Sequence, residues 1–432
     1  MTVTFEIPWD KVSLTTIEEA VRENLKEAGR LMIKALLEAL QERLSSILQT
    51  LHPGRFVKNG RHGRWRTFNT VFGKIQVVNR QLRDKKTRKT LRLLPLVVDF
   101  HPRRRFSWGA LRSATRLSVL TSFRQAAQEV SYEMGADAPS HATVHRNFRD
   151  IFEGNEISFR DRKFRYLMVD TMKVYLQAGR GRDGGLEEAR VVLGAERAEG
   201  PWIPLGIFAG WSWKEVRKEL ERRIDYERLE VLISDGEPGI EALLGEGMKH
   251  QRCTWHGKRD LSFALYEDGY KGIENRDLVD LLSEIPLFRM NVRNRPEVRE
   301  RVEGILKESR ELWEELLEIF DPEVYPRAHR YLKRLGENVF TFLEYFLERG
   351  EWIPNVSNAV ENVIGRIKLR VRRIGKRWSE GGLIAIFRAM ARRVFGVESW
   401  EAFEERLCGA GPCAKVVALE VKYHWRWPIT PL

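Results

Sequence analysis

Between residues 164 and 254 the chain changes pattern in an order that few folds accommodate. Three strand-like runs come first, at 164–177, 190–196 and 203–209, joined by turns and so expected to be antiparallel. A helical stretch at 213–223 then leads to a short apolar strand ending at 234, a helix over 239–244 and a strand over 251–254. Antiparallel strands followed by alternating helices and strands imply one mixed α/β sheet. The glycine-rich tip at 179–185 (GRGRDGG) lacks the Gly-Lys-Ser/Thr ending and following helix of a phosphate-binding loop, which sets nucleotide binding aside.

Asp170 lies inside the first run. With a period of two it shares a face with Tyr166, Met168, Met172, Val174 and Leu176. A carboxylate on an apolar face carries a desolvation cost unless a metal ion, an arginine or a wet sheet edge compensates it. Asp235 ends the run Val231-Leu232-Ile233-Ser234 and precedes Gly236. That puts it at the carboxyl end of a buried strand, where open α/β sheets place ligands, although Asp-Gly also suits a plain turn or a helix cap. Glu361 heads a helix with a stripe of Val360, Ile364, Ile367, Val371 and Ile374. Around that stripe stand Arg366, Lys368, Arg370, Arg372, Arg373, Lys376 and Arg377, and Glu361 is the only acid between Glu351 and Glu380. Asn358-x-x-Glu361 also fits a capping box, and Gly365 is expected to leave room for an approaching backbone. Glu237, Glu351 and Glu380 are the competing acids. Three carboxylates that meet in space can hold two divalent ions for phosphodiester chemistry.

Cys253 and His256 form a C-x-x-H pair beside the last strand. Zinc needs four ligands and no second pair has a suitable spacing, Cys408 with Cys413 being distant, so a structural zinc is not expected. Three cysteines are too few for a disulfide framework and fit a reducing cytoplasm. The opening MTVTFEIPWDKV does not read as a signal peptide, and no apolar run approaches the ~20 residues of a membrane span.

Net charge is +13, and its placement matters more than its size. Residues 55 to 105 hold 16 Lys/Arg against Asp84 and Asp99, 16 − 2 = +14, so the rest of the chain sums to 13 − 14 = −1. A basic segment of alternating strands suits a phosphate-binding surface, with Arg61, Arg64, Arg66, Lys74, Arg80 and Arg83 as contacts. Before it, residues 1–54 hold a long amphipathic helix, expected to open at a capping box of Thr16 and Glu19 and to end near His52-Pro53-Gly54. Its stripe of Ile17, Val21, Leu25, Ala28, Met32, Leu36, Leu40, Leu44 and Ile47 suits its own domain or a second subunit. Residues 106–155 read as three helices. The last offers Ser140, His141, Thr143 and Arg146 outward, as a helix-turn-helix reader of the major groove would, though a plain three-helix bundle gives the same pattern. The mixed sheet spans 160–266, a helical insertion 267–353, the final core helices 354–398 and a tail 399–432.

These residues together resemble the mutator-like superfamily of DDE transposases found in insertion sequences. LMVDTMKVYL around Asp170 resembles that family's first acid, VLISDGEPGI around Asp235 its second, and SNAVENVIGRIKLRVRR around Glu361 its third. HQRCTWHGKRDL resembles its C-x-x-H signature. Order and spacing carry the likeness over about 107 to 395: 235 − 170 = 65 and 361 − 235 = 126, the long interval leaving room for an inserted helical domain. The resemblance implies a ribonuclease-H-like catalytic core in a mixed α/β chain, with the helical insertion inside it and a helical and basic β region before it. It also implies two Mg²⁺ or Mn²⁺ ions on the three acids, DNA strand cleavage and strand transfer, and Cys253 and His256 close to the active site. Arg366, Lys368, Arg370, Arg372 and Arg373 are expected to hold double-stranded DNA, both element terminal repeats and target. A homo-oligomer, cytoplasmic or nucleoid-associated, without a membrane, completes the expectation. Two readings stay open beside it: a catalytically dead or domesticated copy acting as a DNA-binding regulator, and a ribonuclease-H-like nuclease that never joins strands.

Overall fold

A computed structural model describes residues 13–59, 64–98, 105–178, 184–290, 295–374 and 377–408. These fall into two compact units, one of residues up to Asp150 together with those from Glu401 onward, the other Ile151–Trp400.

The first unit opens with α1 (Leu14–Leu51), which starts one turn earlier than the sequence suggests. Ser13 is the cap: its hydroxyl accepts the Thr16 N–H, and the Thr16 hydroxyl accepts the Ser13 N–H at 2.9 Å, filling the part expected of Glu19. His52 ends the helix. Its buried face also differs from the anticipated stripe. Ile33 and Leu37 pack on Ile75, Val77 and Leu94, and Gln41 and Ser45 continue that line. The Gln41 amide donates to the Val78 carbonyl at 3.0 Å and its carbonyl accepts the Arg80 N–H at 2.8 Å. Two backbone groups of a neighbouring strand are thereby satisfied, so a polar residue decides which face turns inward. Leu25, Met32 and Leu36 of the expected stripe stay exposed.

The basic segment forms β1 (Phe56–Lys58), β2 (Arg64–Thr70), β3 (Gly73–Asn79), β4 (Gln81–Asp84) and β5 (Thr90–Arg92). β2 and β3 make a hairpin, and the others a sheet in the order β1-β4-β5. The short α2 (Leu94–Val97) leads to α3 (Trp108–Ser118), α4 (Phe123–Met134) and α5 (His141–Gly154). Ser107, Ser122 and Ser140 each cap the helix that follows, which is why these three begin where the sequence places them.

The second unit is built on β6 (Tyr166–Leu176), β7 (Gly185–Ala195), β8 (Ile203–Ala209), β9 (Val231–Ser234) and β10 (Lys249–Arg252), in the order β10-β9-β6-β7-β8. β6, β7 and β8 are antiparallel neighbours, whereas β9 runs parallel to both β6 and β10. α6 (Trp213–Arg223) supplies Trp213, Val216 and Leu220 to the core on one face, against Leu167, Val169, Val192 and Leu205. Alternation along β6 sends Asp170 to the other face with Met168 and Met172. α7 (Thr254–Glu267), α8 (Gly272–Asp280), α9 (Pro286–Arg289), α10 (Arg299–Ile319), α11 (Pro326–Gly336) and α12 (Thr341–Arg349) form the helical stretch. α13 (Asn358–Lys368) packs against β6 and β7, and α14 (Glu380–Arg393) against β8. α15 (Trp400–Cys408) follows.

The edge of β10 is covered by the helical stretch. Arg252 N–H donates to the Asn338 carbonyl at 3.0 Å, the Thr341 hydroxyl to the His250 carbonyl at 2.7 Å, and the Phe342 N–H to Gln251 Oε1 at 2.6 Å. An open strand edge is an aggregation liability, and this one is closed by the chain itself. No helix among the described residues is long and apolar enough to cross a membrane.

His250 makes the fold sensitive to acid. Its Nε2 is 2.8 Å from Ser234 Oγ, which also accepts the Gly236 N–H at 3.0 Å, so the hydroxyl donates to a neutral imidazole. Burial, reinforced by the charge of Arg252 and opposed by Glu241, pushes the imidazole down to about 4. The unfolded chain therefore binds a proton between pH 6.5 and 4 that the folded chain refuses, and stability is lost as pH falls through that window. Between pH 7.5 and 5 the loss is about 2 kcal/mol. Urea midpoints at both pH values should show this gap in the wild type and a smaller one in His250→Gln; equal gaps would remove His250 as the cause.

Candidate metal centre

Strand register brings the acids together. Tyr166, Leu167 and Met168 pair with Val231, Leu232 and Ile233 in parallel. Two residues beyond the last pair stand Asp170 on one strand and Asp235 on its neighbour, level with each other and about 5 Å apart as strands run. On the other side of β9, Arg252 pairs with Ser234, so Cys253 follows at the same level, with its N–H on the Ser234 carbonyl at 2.8 Å. Cys253 also stands at the start of α7, which places His256 in that helix's first turn. Ser357, and not Asn358, is the N-cap of α13; the Glu361 N–H bonds the Ser357 carbonyl at 3.2 Å, and the Glu361 side chain does not turn back to cap.

One ligand atom each from Asp170, His256 and Glu361 lies within 4.8 Å of the others. His256 Nε2 is 3.3 Å from Glu361 Oε1. Its Nδ1 is 3.2 Å from Ser357 Oγ, which is in turn 3.4 Å from both Cys253 Sγ and Glu361 Oε1. The Ser357 N–H donates to the same sulfur at 3.3 Å. Asp235 is not in the tight group, but its charge is felt there. Burial first, and then Asp235 with Glu361, push Asp170 up to about 6 against the opposing pull of the Thr171 N–H and His256. Burial alone would lower the His256 imidazole, yet the Cys253 sulfur bonded to it and the Asp170 charge outweigh that and raise it. The thiol shifts the opposite way: burial raises it, and His256 with Ser357 bring it below its ordinary value.

Two mutually repelling carboxylates and an imidazole that converge in this way make a donor set that can hold a divalent cation, and the charge of Asp235 adds to theirs. Glu237 stands closer than the sequence suggests. It accepts the Thr171 hydroxyl at 2.5 Å and pairs with Arg190 at 3.2 Å, while its N–H bonds Asp235 Oδ1 at 3.2 Å. Glu351 pairs with Arg165 at 2.9 Å, and Glu380 takes the Trp211 indole N–H at 3.0 Å. Ser357 does not stand out in the sequence, because Asn358-x-x-Glu361 already fits a capping box one residue on.

Residues 9–406 match the model of the uncharacterised protein family UPF0236. The chain belongs to that family. A comparison with curated proteins finds no match. Among solved structures it is similar to the Drosophila P element transposase strand transfer complex. That match has 12% identity and a TM-score of 0.36, over 68% of this chain and 94% of that one.

The basic residues of the UPF0236 chain are placed unevenly. Arg366, Arg372 and Arg373 are exposed and Lys368 is half-buried, but Arg370 is 3% exposed. Its guanidinium lies 5.1 Å from the Trp378 ring centre, and burial brings it down to about 10, so it is a core cation and not a surface contact. The cause is a π-helical turn over Leu369–Ile374, which shifts the phase of the helix, turning Arg370 inward and leaving Ile374 exposed. A Cβ at Gly365 meets nothing within 4 Å, so no backbone approaches there as the sequence suggests. In the first unit Lys74, Arg83, His141 and Arg146 are exposed. Arg66 lies 5.4 Å from the Phe68 ring centre, and Arg80 pairs with Glu42. Ser140 and the half-buried Thr143 are joined to each other at the helix cap. Arg61 and the Arg64 side chain lie outside the described residues, as do Lys376, the Cys408 side chain and Cys413.

The strain at Asp170 is measurable. An acid whose folded value is raised from 3.8 to about 6 is harder to ionise in the fold, so stability without a cation falls as pH rises through that range and the full cost is present above it. At pH 7.5 in a chelator, Asp170→Asn should unfold at a higher temperature than the wild type, by on the order of 2 kcal/mol. Added Mn²⁺ should raise the wild-type midpoint and leave that of the variant nearly unchanged. A variant that is less stable in chelator and still responds to Mn²⁺ would show that Asp170 is compensated in some other way.

Proposed function

We propose that this chain is a DNA transposase of the DDE type, which cleaves strands at element ends and joins them to target DNA. The convergence of Asp170, Glu361 and His256, with Asp235 level on the next strand, carries the reading. The sheet order, fifth-fourth-first-second-third in order of appearance, is that of a ribonuclease-H-like core and supports the mutator-like resemblance. Asp170, Asp235 and Glu361 would hold Mg²⁺ or Mn²⁺ ions, which would supply a water of lowered pKa and offset charge on the leaving oxygen. Everything else is the work of the chain's own groups. Below about pH 6 a cation would have to displace the Asp170 proton, so binding there is tied to proton release and weakens as pH falls. Ser357 holds Nδ1 of His256, which fixes the ring and leaves Nε2 on the side of Glu361 to orient that carboxylate or a phosphate oxygen. Arg259, whose guanidinium feels both Asp235 and Asp170, offsets negative charge at the same place.

Arg366, Lys368, Arg372 and Arg373 follow Glu361 along the chain and hold backbone phosphates. Lys74, Arg83 and the exposed α5 residues bind terminal repeats, and the uncovered face of α1 with Leu25, Met32 and Leu36 suits a second copy, since two ends must be brought together. Glu361→Gln and Asp170→Asn should each lower Mg²⁺-dependent strand cleavage by at least about a thousand-fold, while duplex affinity changes by less than a few-fold. Cleavage without joined products would make the chain a nuclease. Tight DNA binding by a wild type that never cleaves would make it a regulator.

A further inference from the structure

We propose that the outer face of α7 is a stacking track for an unpaired DNA strand beside the metal centre; the proposal rests on reading that centre as one that acts on DNA. Trp255, Phe263 and Tyr266 are 56%, 64% and 55% exposed. With Arg259 they fall at intervals of four, four and three residues, which places all four side chains on one arc of the helix. Eleven residues separate the first ring from the last, 266 − 255, or about 16 Å of helix, enough for several successive bases. Leu261, Ala264 and Leu265 are buried on the opposite face, so the helix presents its rings from a fixed base.

Two observations point to nucleic acid as the occupant. The first is continuity with the centre. The Trp255 and His256 rings meet edge to face with centres 5.0 Å apart, and Arg259, on the same arc, is electrostatically tied to Asp170 and Asp235. The second is charge. The Arg259 guanidinium lies 5.9 Å from the Trp255 ring centre and the Lys271 ammonium, just beyond the helix, 5.0 Å from that of Tyr266, so a cation stands beside the ring at each end of the row. The exposed acid at the far end, Glu267, pairs with Arg327 at 2.7 Å. A duplex keeps its base faces stacked on one another and can offer such a surface only phosphates. An unpaired strand offers both, and each stacked base contributes about 1–3 kcal/mol. The track therefore takes the strand that separates from its complement near the cleavage point.

The test uses the full chain in EDTA, where no cleavage occurs. Anisotropy would measure the affinity of a labelled oligothymidylate and of a duplex of equal length. The variant combining Trp255→Leu, Phe263→Leu and Tyr266→Leu keeps apolar cover and removes the aromatic faces; Phe263→Leu with Tyr266→Leu spares the neighbour of His256. The triple variant should bind the single strand at least ten-fold more weakly and the double variant several-fold more weakly. Duplex affinity should stay within two-fold and the thermal midpoint should hold. Unchanged single-strand affinity, a parallel loss for both DNAs, or no single-strand binding by the wild type would each overturn the proposal. A change of oligomeric mass with oligothymidylate affinity intact would do so too, and assign the face to self-association. A wild type that cleaves duplex DNA but ignores oligothymidylate sinks the track alone, whereas ring-dependent binding without cleavage in Mg²⁺ sinks only the transposase reading.

Discussion

β9 runs parallel to strands on both of its sides, and the candidate centre depends on that arrangement. Parallel neighbours keep corresponding residues level and facing the same way, so Asp170, Asp235 and Cys253 emerge at one height on three adjacent strands. An antiparallel β9 would send its carboxyl end to the other side of the sheet and separate Asp235 from Asp170 altogether. Once the strand ends are level, the rest is local. Gly236, at φ +79°, turns the chain directly after Asp235, and a Cβ there would run into the Arg252 guanidinium. Ser234 fastens the same turn from below through its contacts with His250 and the Gly236 N–H.

The wide separation in sequence between Asp235 and Glu361 has a structural counterpart at the sheet's edge. Residues between them supply the Asn338 carbonyl, the Thr341 hydroxyl and the Phe342 N–H that cover β10, where an open edge would otherwise stand. It is tied to the sheet a second time through Arg165, which meets Glu230 at 2.7 Å and Glu351 at 2.9 Å, with the Tyr345 hydroxyl on Glu230 at 2.6 Å. A third tie lies beside the centre, where the Thr254 N–H and hydroxyl both bond the Asn355 carbonyl at 2.9 and 3.1 Å. That last contact holds the start of α7 against the segment leading into α13, and so fixes His256 relative to Glu361. These ties brace the geometry of the candidate centre.

Much of this was legible in the sequence because it depends on period and on isolated exceptions to period. Asp170 is visible as the one acid on a face of Tyr, Met, Val and Leu, and the strands around it follow from alternation. The serine caps of α3, α4 and α5 are equally local. What escaped depends on partners far along the chain. Nothing near Gln41 indicates that its amide will satisfy β3, so the sequence leaves open whether the apolar stripe beside it packs on its own domain or on a second subunit. Arg370 reads as one cation among seven until Trp378 and a π-turn turn it inward. Asn358 and Glu361 match a capping box in spelling, but Ser357 precedes them and takes the cap position, which frees Glu361 to face Asp170. In each case a short-range rule was met in sequence and overridden by a longer-range contact.

The cations near the centre leave Asp170 without a paired counterion among the described residues. Arg190 is committed to Glu237 at 3.2 Å, and Arg259 to Asp260 at 2.7 Å. Among the described residues no arginine or lysine pairs with Asp170, whose one bonded donor is the Thr171 N–H at 2.6 Å. The alternative that a buried acid is simply neutralised by a neighbouring arginine is therefore not the one this fold adopts. His256 is the nearest group that can carry positive charge, and it is shared with Glu361 and Cys253, so it cannot balance three carboxylates by itself. A fold that holds Asp170 and Glu361 beside one imidazole, with Asp235 level on the next strand, and whose nearby Arg190 and Arg259 also pair with Glu237 and Asp260, carries more negative than positive charge there. Such a deficit of positive charge is what a site that recruits divalent cations must have before they arrive.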